Sequence, residues 1–413
     1  MTGSAWPAVD VFDGVRVVEL AQFVFVPAAG ALLADWGADV VKIEHPVRGD
    51  GYRALVSQGI LRTSATGVNE NMEMHNRGKR SIGLDVASPK GRRVLLELVA
   101  SADVFLTNFL PSTLARWGLD VEGLRAVNPR LIYARGHGHG VRGPDADMPA
   151  YDATAFWARG GLGATLTPPA LERPVGQRGG FGDRTGATNL AFGIASALFR
   201  RERTGAPSVV DVSLLSTAMW TLASDVLSGL QGNWAAAPVA GQAARLSPNP
   251  LSNTYETKDG RFLSLLLLQP DRHWPALARA IGREDLLEDP AFATGSAILE
   301  HPADMVDILE PLFKSRTLAE WRDAFLGARF PWAPYAQVPE VIEDPQVAAN
   351  GYVAEVEHEA GNFRVPTGAV QFDERPAALR RGPEHAEHTE EILLELGYGW
   401  EEIATFKEEG VVT

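Results

Sequence analysis

The chain contains no cysteine. Disulfides, thiolate nucleophiles and cysteine-ligated zinc or iron–sulfur centres are therefore excluded, although the absence does not decide the redox compartment. Positive charge is scarce: 38 Lys and Arg stand against 52 Asp and Glu, a formal net charge of -14. Such a balance argues against general nucleic-acid binding while leaving room for a local basic pocket that meets a phosphorylated cofactor. Long apolar runs are missing as well. Residues 263–268 form an apolar stretch far too short to span a bilayer, and the start MTGSAWP lacks the basic and apolar regions of a signal peptide. A cytoplasmic protein with no membrane partner is expected. Patterns of the G-x-S-x-G, Walker A, H-E-x-x-H and EF-hand kinds are absent, as are internal repeats.

What is present fits a large globular protein. At 413 residues, two or three domains are expected, and 45% hydrophobic against 22% charged residues supplies an ample core. Residues 14–20 read as a strand, 27–36 as a helix with Pro27 near its start, and 38–44 as a second strand after Gly37. A β-α-β unit favours a parallel sheet. The loop 21–26 (AQFVFV) then lies at the carboxyl end of a strand, where open α/β sheets bind ligands. Phe23 and Phe25 either face such a ligand or pack in the core.

Residues 47–75 read as polar loop. Arg77, Lys79 and Arg80 precede a strand at 82–84, followed by a helix at 88–102 and a strand at 104–106. Asn108 and Phe109 end that strand, and Arg116 sits in the next helical stretch. Cations recurring at strand ends in an acidic chain suggest a phosphate or carboxylate site. After the strand 131–135, Gly138, Gly140 and Gly143 match G-x-G-x-x-G, but the loop 144–149 follows where a dinucleotide fold needs a helix. His137 and His139 have no third ligand at suitable spacing, so no metal site is expected.

The stretch 151–203 organises the chain. It holds Tyr151 and Asp152, a glycine turn at 160–163, and Gly179-Gly180-Phe181-Gly182-Asp183 leading into a helix whose last turn is basic. Asp183 stands where a glycine-rich loop becomes a helix. It is either an accessible nucleophilic carboxylate or a helix N-cap. Further on, 209–212 is a strand and 214–230 a long, largely buried helix. Residues 231–250, rich in Gly, Ala, Pro and Ser, mark a boundary or lid. A hairpin at 253–268 and helices at 273–281 and 317–326 make a smaller unit. A strand at 335–338 and a helix from 341 suggest return to the first architecture. Residues 345–383 read as extended and 385–396 as a tail helix.

Several landmarks together resemble the family III CoA-transferases, the group that contains formyl-CoA transferase, carnitine CoA-transferase and α-methylacyl-CoA racemase. They are VRVVELAQFVFVPAAGALLADWGADVVKIEHP (15–46), NRGKRSIGLD (76–85), ADVFLTNFLPSTLARWGLD (102–120), NPRLIYARGHGHG (128–140), the Tyr151-Asp152 pair, GFGDRTG (180–186) and EHTEEILLELGY (387–398). The resemblance implies an α/β fold with a Rossmann-like large domain built from both chain ends (1–229 and 327–413) and a smaller α+β domain (230–326). It implies an interlocked homodimer. It makes Asp183 the covalent nucleophile and Asp152 its acidic neighbour. Gln22, Phe23, Lys79, Asn108, Phe109, Arg116 and Tyr151 match positions at the coenzyme A site. Pro46 replaces a family arginine that meets the nucleotide, and Arg48 is the candidate substitute.

The implied reaction moves CoA from an acyl-CoA to a carboxylic acid, with acyl-CoA as substrate and no tightly bound cofactor. The glycine turn 160–163 or the segment 231–250 would supply oxyanion donors. The racemase branch pairs the aspartate with a histidine, whose position holds Tyr151; a phenol ionises near about pH 10 and is a weak base at neutrality. An acyl-CoA racemase and a non-catalytic CoA-binding protein remain the alternatives. Phe25, Phe156 and Trp157 hint at a partly apolar pocket suited to a larger or aromatic acid.

Overall fold

The computed structural model describes residues 9–60, 67–232 and 247–413. The chain forms two compact units. The larger takes Met1–Thr167, Arg173–Trp234 and Pro345–Thr413; the smaller takes Pro168–Glu172 and Ala235–Asp344.

The larger unit is built on a six-stranded sheet. Its strands are β1 (Arg16–Leu20), β2 (Asp39–Glu44), β3 (Arg80–Gly83), β4 (Val104–Thr107), β5 (Ile132–His137) and β6 (Val209–Ser213). Their spatial order is β3-β2-β1-β4-β5-β6 and every pair is parallel. The two-residue period of a strand feeds two cores, one on each face. Val18, Val41, Ile82, Phe105 and Tyr133 enter one; Val17, Val40, Val104, Ile132 and Ala134 enter the other. The second core is closed by helices Phe25–Ala34 and Phe181–Thr204.

The Phe181–Thr204 helix starts from Gly180 at φ 78 and stops at Gly205 at φ 71, both left-handed positions that suit glycine. Close approach accounts for its other glycines. A Cβ on Gly182 would lie 2.2 Å from Phe156 Cγ, and one on Gly186 would lie 2.6 Å from Phe25 Cε2. The helix can thus lie against Phe25 and Phe156 only with bare backbone at those points.

The C-terminal segment docks on the edge of this sheet: Gly83 N–H donates to Thr389 Oγ1 at 3.1 Å, and Leu84 bridges Val412. It adds no strand to the six. Its own strands, β10 (Val353–Val356) and β11 (Phe363–Pro366), pair only with each other.

The smaller unit carries the antiparallel sheet β7 (Thr254–Glu256), β8 (Phe262–Leu265) and β9 (Trp332–Pro334). Helices Pro270–Ala280, Pro302–Phe313 and Leu318–Ala324 enclose an aromatic core. Its indoles are satisfied: Trp274 Nε1 donates to Phe292 O at 2.7 Å and Trp321 Nε1 to Phe313 O at 2.9 Å.

Several expectations are corrected. The stretch 47–75 contains helices Gly51–Ser57 and Glu70–Asn76, started by Asp50 and Asn69, whose side chains accept the amides of Tyr52 and Met72. The helix over 214–230 breaks at Leu222 (φ -94, ψ 26), and its second half, Ala223–Leu230, buries no residue in the single chain. The strand expected at 335–338 is β9, three residues earlier. Because β9 bonds to β8, the chain re-enters the larger unit at Pro345 rather than near 327. Among the described residues no helix is long and apolar enough to cross a membrane.

Candidate active site

β1 is flanked by β2 on one side and β4 on the other, so the strand order reverses there. In open α/β sheets a crevice opens outside the carboxyl ends at such a point. Here the loops after β1 and β4 are tied together. Gln22 N–H donates to Asn108 Oδ1 at 3.1 Å, and Asn108 Nδ2 donates back to Gln22 O at 2.7 Å.

Two cavities open beside this tie. The larger, about 560 Å³, is lined by Gln22, His45, Arg48, Asp85, Phe109 and Trp117 among others. Phe109 and Trp117 bring their rings to 5.5 Å, and the Arg116 guanidinium lies 6.0 Å from the Trp117 ring. The smaller, about 90 Å³, is lined by Phe23, Asn108, His137, His139, Tyr151 and Asp183 among others. The bonded pair thus has Gln22 on the larger cavity and Asn108 on the smaller.

Phe23 stands at φ 66, a costly conformation for a residue with a side chain. It is held there by Asp50, whose Oδ1 accepts the Phe23 amide at 3.0 Å while its Oδ2 meets Lys42 Nζ at 2.8 Å. The Phe23 ring then lies edge-on to Tyr151 at 5.2 Å.

Lys79 is elsewhere. Its buried ammonium meets Glu19 Oε2 at 2.8 Å and donates to Pro27 O, His75 O and Asn76 Oδ1. It lines neither cavity, because those buried acceptors use all its donors.

Asp183 is the third residue of its helix, and the cap is Gly180 with no side-chain cap bond. The N-cap reading is therefore set aside. Asp152, 7% exposed, accepts the Gly182 amide on Oδ1 at 3.1 Å; its buried Oδ2 has no partner among the described residues. Burial, reinforced by the charge of Asp152 and partly offset by Arg184, pushes Asp183 from 3.8 up to about 7. A carboxylate with weakened solvation and raised basicity is a stronger nucleophile than one in water. Tyr52, in the stretch read as loop, also senses this corner: burial raises its phenol, with Asp183 and Asp50 adding to the shift and Arg184 opposing it.

Other expected contributors are placed differently. Phe25 lines the smaller cavity, but Phe156 packs behind Gly182 and Trp157 turns away to donate to Val175 O at 2.9 Å. The 160–163 turn lines neither cavity. Most of the 231–250 segment, residues 233–246, lies outside the described residues. His137 and His139, considered only as metal ligands from sequence, line the Asp183 cavity instead. No group of three metal-binding side chains occurs among the described residues.

A parallel α/β sheet with two cavities at its switch point, one of them lined by a buried carboxylate, places a candidate site at the carboxyl edge of the strands. Comparison with known proteins gives the family: the profile of CoA-transferase family III matches residues 12–389, and the chain belongs to that family. It is similar to the (R)-2-hydroxy-4-methylpentanoate CoA-transferase of Clostridioides difficile, at 32% identity over 97% of this chain and 99% of that one. It is also similar to the cinnamoyl-CoA:phenyllactate CoA-transferase of Clostridium sporogenes, at 34% identity over 95% of each chain. The crystal structure of a CAIB/BAIF family protein from Brucella suis matches with a TM-score of 0.76 and 30% identity, covering 93% of this chain and 98% of that one. The enzyme is accordingly a family III CoA-transferase, with acyl-CoA and carboxylate substrates.

Proposed function

We propose that this enzyme exchanges CoA between an acyl-CoA and a carboxylic acid through a covalent Asp183 intermediate. The observation that carries this reading is the raised, partly uncompensated carboxyl of Asp183 on a cavity beside a larger one of about 560 Å³. An Asp183 oxygen attacks the thioester carbonyl, the C–S bond breaks, and CoA thiolate leaves a mixed anhydride. The thiolate then attacks the aspartyl carbonyl, expelling the first carboxylate and forming an aspartyl-CoA thioester. The acceptor carboxylate attacks that carbonyl and expels the thiolate. The thiolate finally takes the new acyl group from the second anhydride, restoring Asp183. Positioning replaces encounters between free reactants.

Asp152 raises the basicity of Asp183 and holds the Gly182 amide at the helix start. Gln22, Arg48 and Phe109 take the coenzyme in the larger cavity, with Arg116 at the side of Trp117; Asn108, Phe23 and Tyr151 meet the acyl end. Arg48 is exposed at the cavity and serves where Pro46 stands. Lys79 acts by supporting these loops. No tightly bound cofactor takes part.

The 3-2-1-4-5-6 strand order supports a Rossmann-like large domain assembled from both chain ends. An interlocked homodimer is supported by the apolar side chains that the larger unit leaves in solvent, Phe192, Phe199, Trp220 (75% exposed) and Leu230 (77%) among them. The relatives named for 2-hydroxy-4-methylpentanoate and phenyllactate support an acid with a branched or aromatic body.

Intact-protein mass spectrometry after mixing with a panel of acyl-CoAs tests the reaction. An adduct on the native protein that disappears in Asp183→Ala is expected. Deuterium exchange at the α-carbon without transfer would instead indicate a racemase, and CoA binding with neither event a binding protein.

A further inference from the structure

The covalent scheme leaves two side chains of the Asp183 cavity unused. His137 ends β5 and His139 follows two residues later; both line the cavity. Each ring carries a buried nitrogen without a hydrogen-bond partner among the described residues, Nε2 of His137, which lies 3.9 Å from Asp211 Oδ1, and Nδ1 of His139. A buried polar atom left alone is unfavourable, and a polar side chain lining a substrate cavity is a candidate point of recognition.

The backbone fixes where these rings stand. A Cβ on Gly136 would lie 2.4 Å from Val26 Cγ2, and one on Gly138 would lie 2.3 Å from Ala150 Cβ. The alternation of glycine and histidine is therefore a packing requirement that holds the imidazoles on their side of the segment. His137 is 7% exposed, and its nearest anion, Asp211 Oδ1, is 3.9 Å away and already engaged by Arg135. Burial, helped by Arg135 and opposed by Asp211, pushes His137 down to about 4. At neutral pH it is uncharged, with one nitrogen donating and the other accepting. That pattern complements a hydroxyl, which also donates and accepts. A carboxylate only accepts and is better met by a cation. Around the histidines, Phe25, Leu110, Met148 and Leu214 offer apolar walls to the rest of the acid.

We propose that His137 and His139 are specificity-determining residues that hydrogen-bond a hydroxyl carried by the acyl group close to its carboxyl carbon. The inference rests on the transfer reading above. A site with such polar atoms rejects an analogue lacking the hydroxyl, because the nitrogens are then left unpaired.

The test is a competition. 2-Hydroxy-4-methylpentanoyl-CoA and 4-methylpentanoyl-CoA are mixed in equal amounts with the full-length enzyme, and the fraction of each consumed in one turnover is measured. The native enzyme is expected to prefer the hydroxyacyl thioester by roughly 10- to 100-fold. His137→Leu and His139→Leu are each expected to reduce that ratio by about 10-fold or more, and His139→Gln, whose amide donates and accepts, to retain part of it. Because the ratio is internal, partial misfolding of a variant does not change it. A native enzyme without preference, or leucine variants that keep it, would overturn the proposal. If neither thioester reacts while another acyl-CoA modifies Asp183, the proposal alone fails. If no acyl-CoA modifies Asp183, the covalent transfer reading fails with it.

Discussion

Two sets of buried carboxylates in the larger unit have opposite fates. Beneath β1 and β2, Glu19, Lys42, Asp50 and Lys79 have fully buried side chains, and each acid has its cation. Lys42 Nζ reaches Asp50 at 2.8 Å and Glu19 at 3.3 Å; Arg53 forks onto Glu44 at 2.8 and 2.9 Å. Burial alone would raise Glu44, but Arg53 and Lys42 hold it at about 2. At the start of the Asp183 helix no ion pair to Asp183 occurs among the described residues, and the charge of Arg184 offsets its burial only in part. Asp152 accepts the amide of Gly182, the residue before Asp183, and Asp183 rises to about 7 under burial and the Asp152 charge. The difference lies in the counter-ion. With one in place, a buried acid becomes scaffold; without one, its charge is held in a reactive state.

The contrast can be broken in order of expected effect. Asp183→Ala should lower kcat by about 10⁴-fold or more in a coupled CoA-transfer assay, because none of the other described residues lining that cavity carries a carboxyl to replace the nucleophile. A residual rate within about 100-fold of native would remove Asp183 from the chemistry. Lys42→Met should cost about 3–5 kcal/mol of unfolding free energy in urea titrations, since Glu19 and Asp50 would lose a buried partner. A cost below about 1 kcal/mol would show that the network is not what neutralises them.

The opposite sign is expected on the reactive side. The folded-state value of Asp183 lies above its ordinary 3.8, so the folded chain keeps the proton to higher pH than the unfolded one. Stability from this group is therefore lost as pH rises from about 4 to about 7 and is constant beyond. Asp183→Asn should unfold at nearly the native midpoint at pH 4 and be more stable by about 2–4 kcal/mol at pH 8. Equal stabilities at both pH values would contradict the uncompensated burial. The smallest effect is kinetic. In the native enzyme kcat/KM should rise with pH through an apparent value near 7, and Asp152→Asn should move that limb down by about one unit. A limb that stays in place would separate the two carboxyls.

Much of the scaffold is visible in local pattern. The opening β-α-β unit, the cap-and-proline start of the helix Pro89–Ala100, and the apolar spacing after Asp183 all depend on neighbours within one turn. What escapes notice depends on partners far along the chain. Arg77, Lys79 and Arg80 read as a cluster that awaits a ligand, yet the acid that meets Lys79 lies 60 residues earlier. Asp152 and Gly182 are 30 residues apart, and nothing in either local stretch shows that they touch. The helices Gly51–Ser57 and Glu70–Asn76 are too short to show a clear apolar period, although Asp50 and Asn69 were available as cap signals. The apolar spacing over 214–230 cannot distinguish a helix buried in its own chain from one whose apolar residues face outward.

The covalent route has one direct signature. The acceptor oxygen that attacks the aspartyl thioester becomes the bridging oxygen of the second anhydride, and it stays on Asp183 when thiolate removes the acyl group. The enzyme is turned over with acyl-CoA and an acid labelled with ¹⁸O in its carboxyl, then digested, and the peptide carrying Asp183 is weighed. Incorporation of ¹⁸O into Asp183, raising that peptide by about 2 Da per retained label, is the predicted result. Full turnover with an unlabelled Asp183 would mean that the acid never bonded to the enzyme, and would contradict the account.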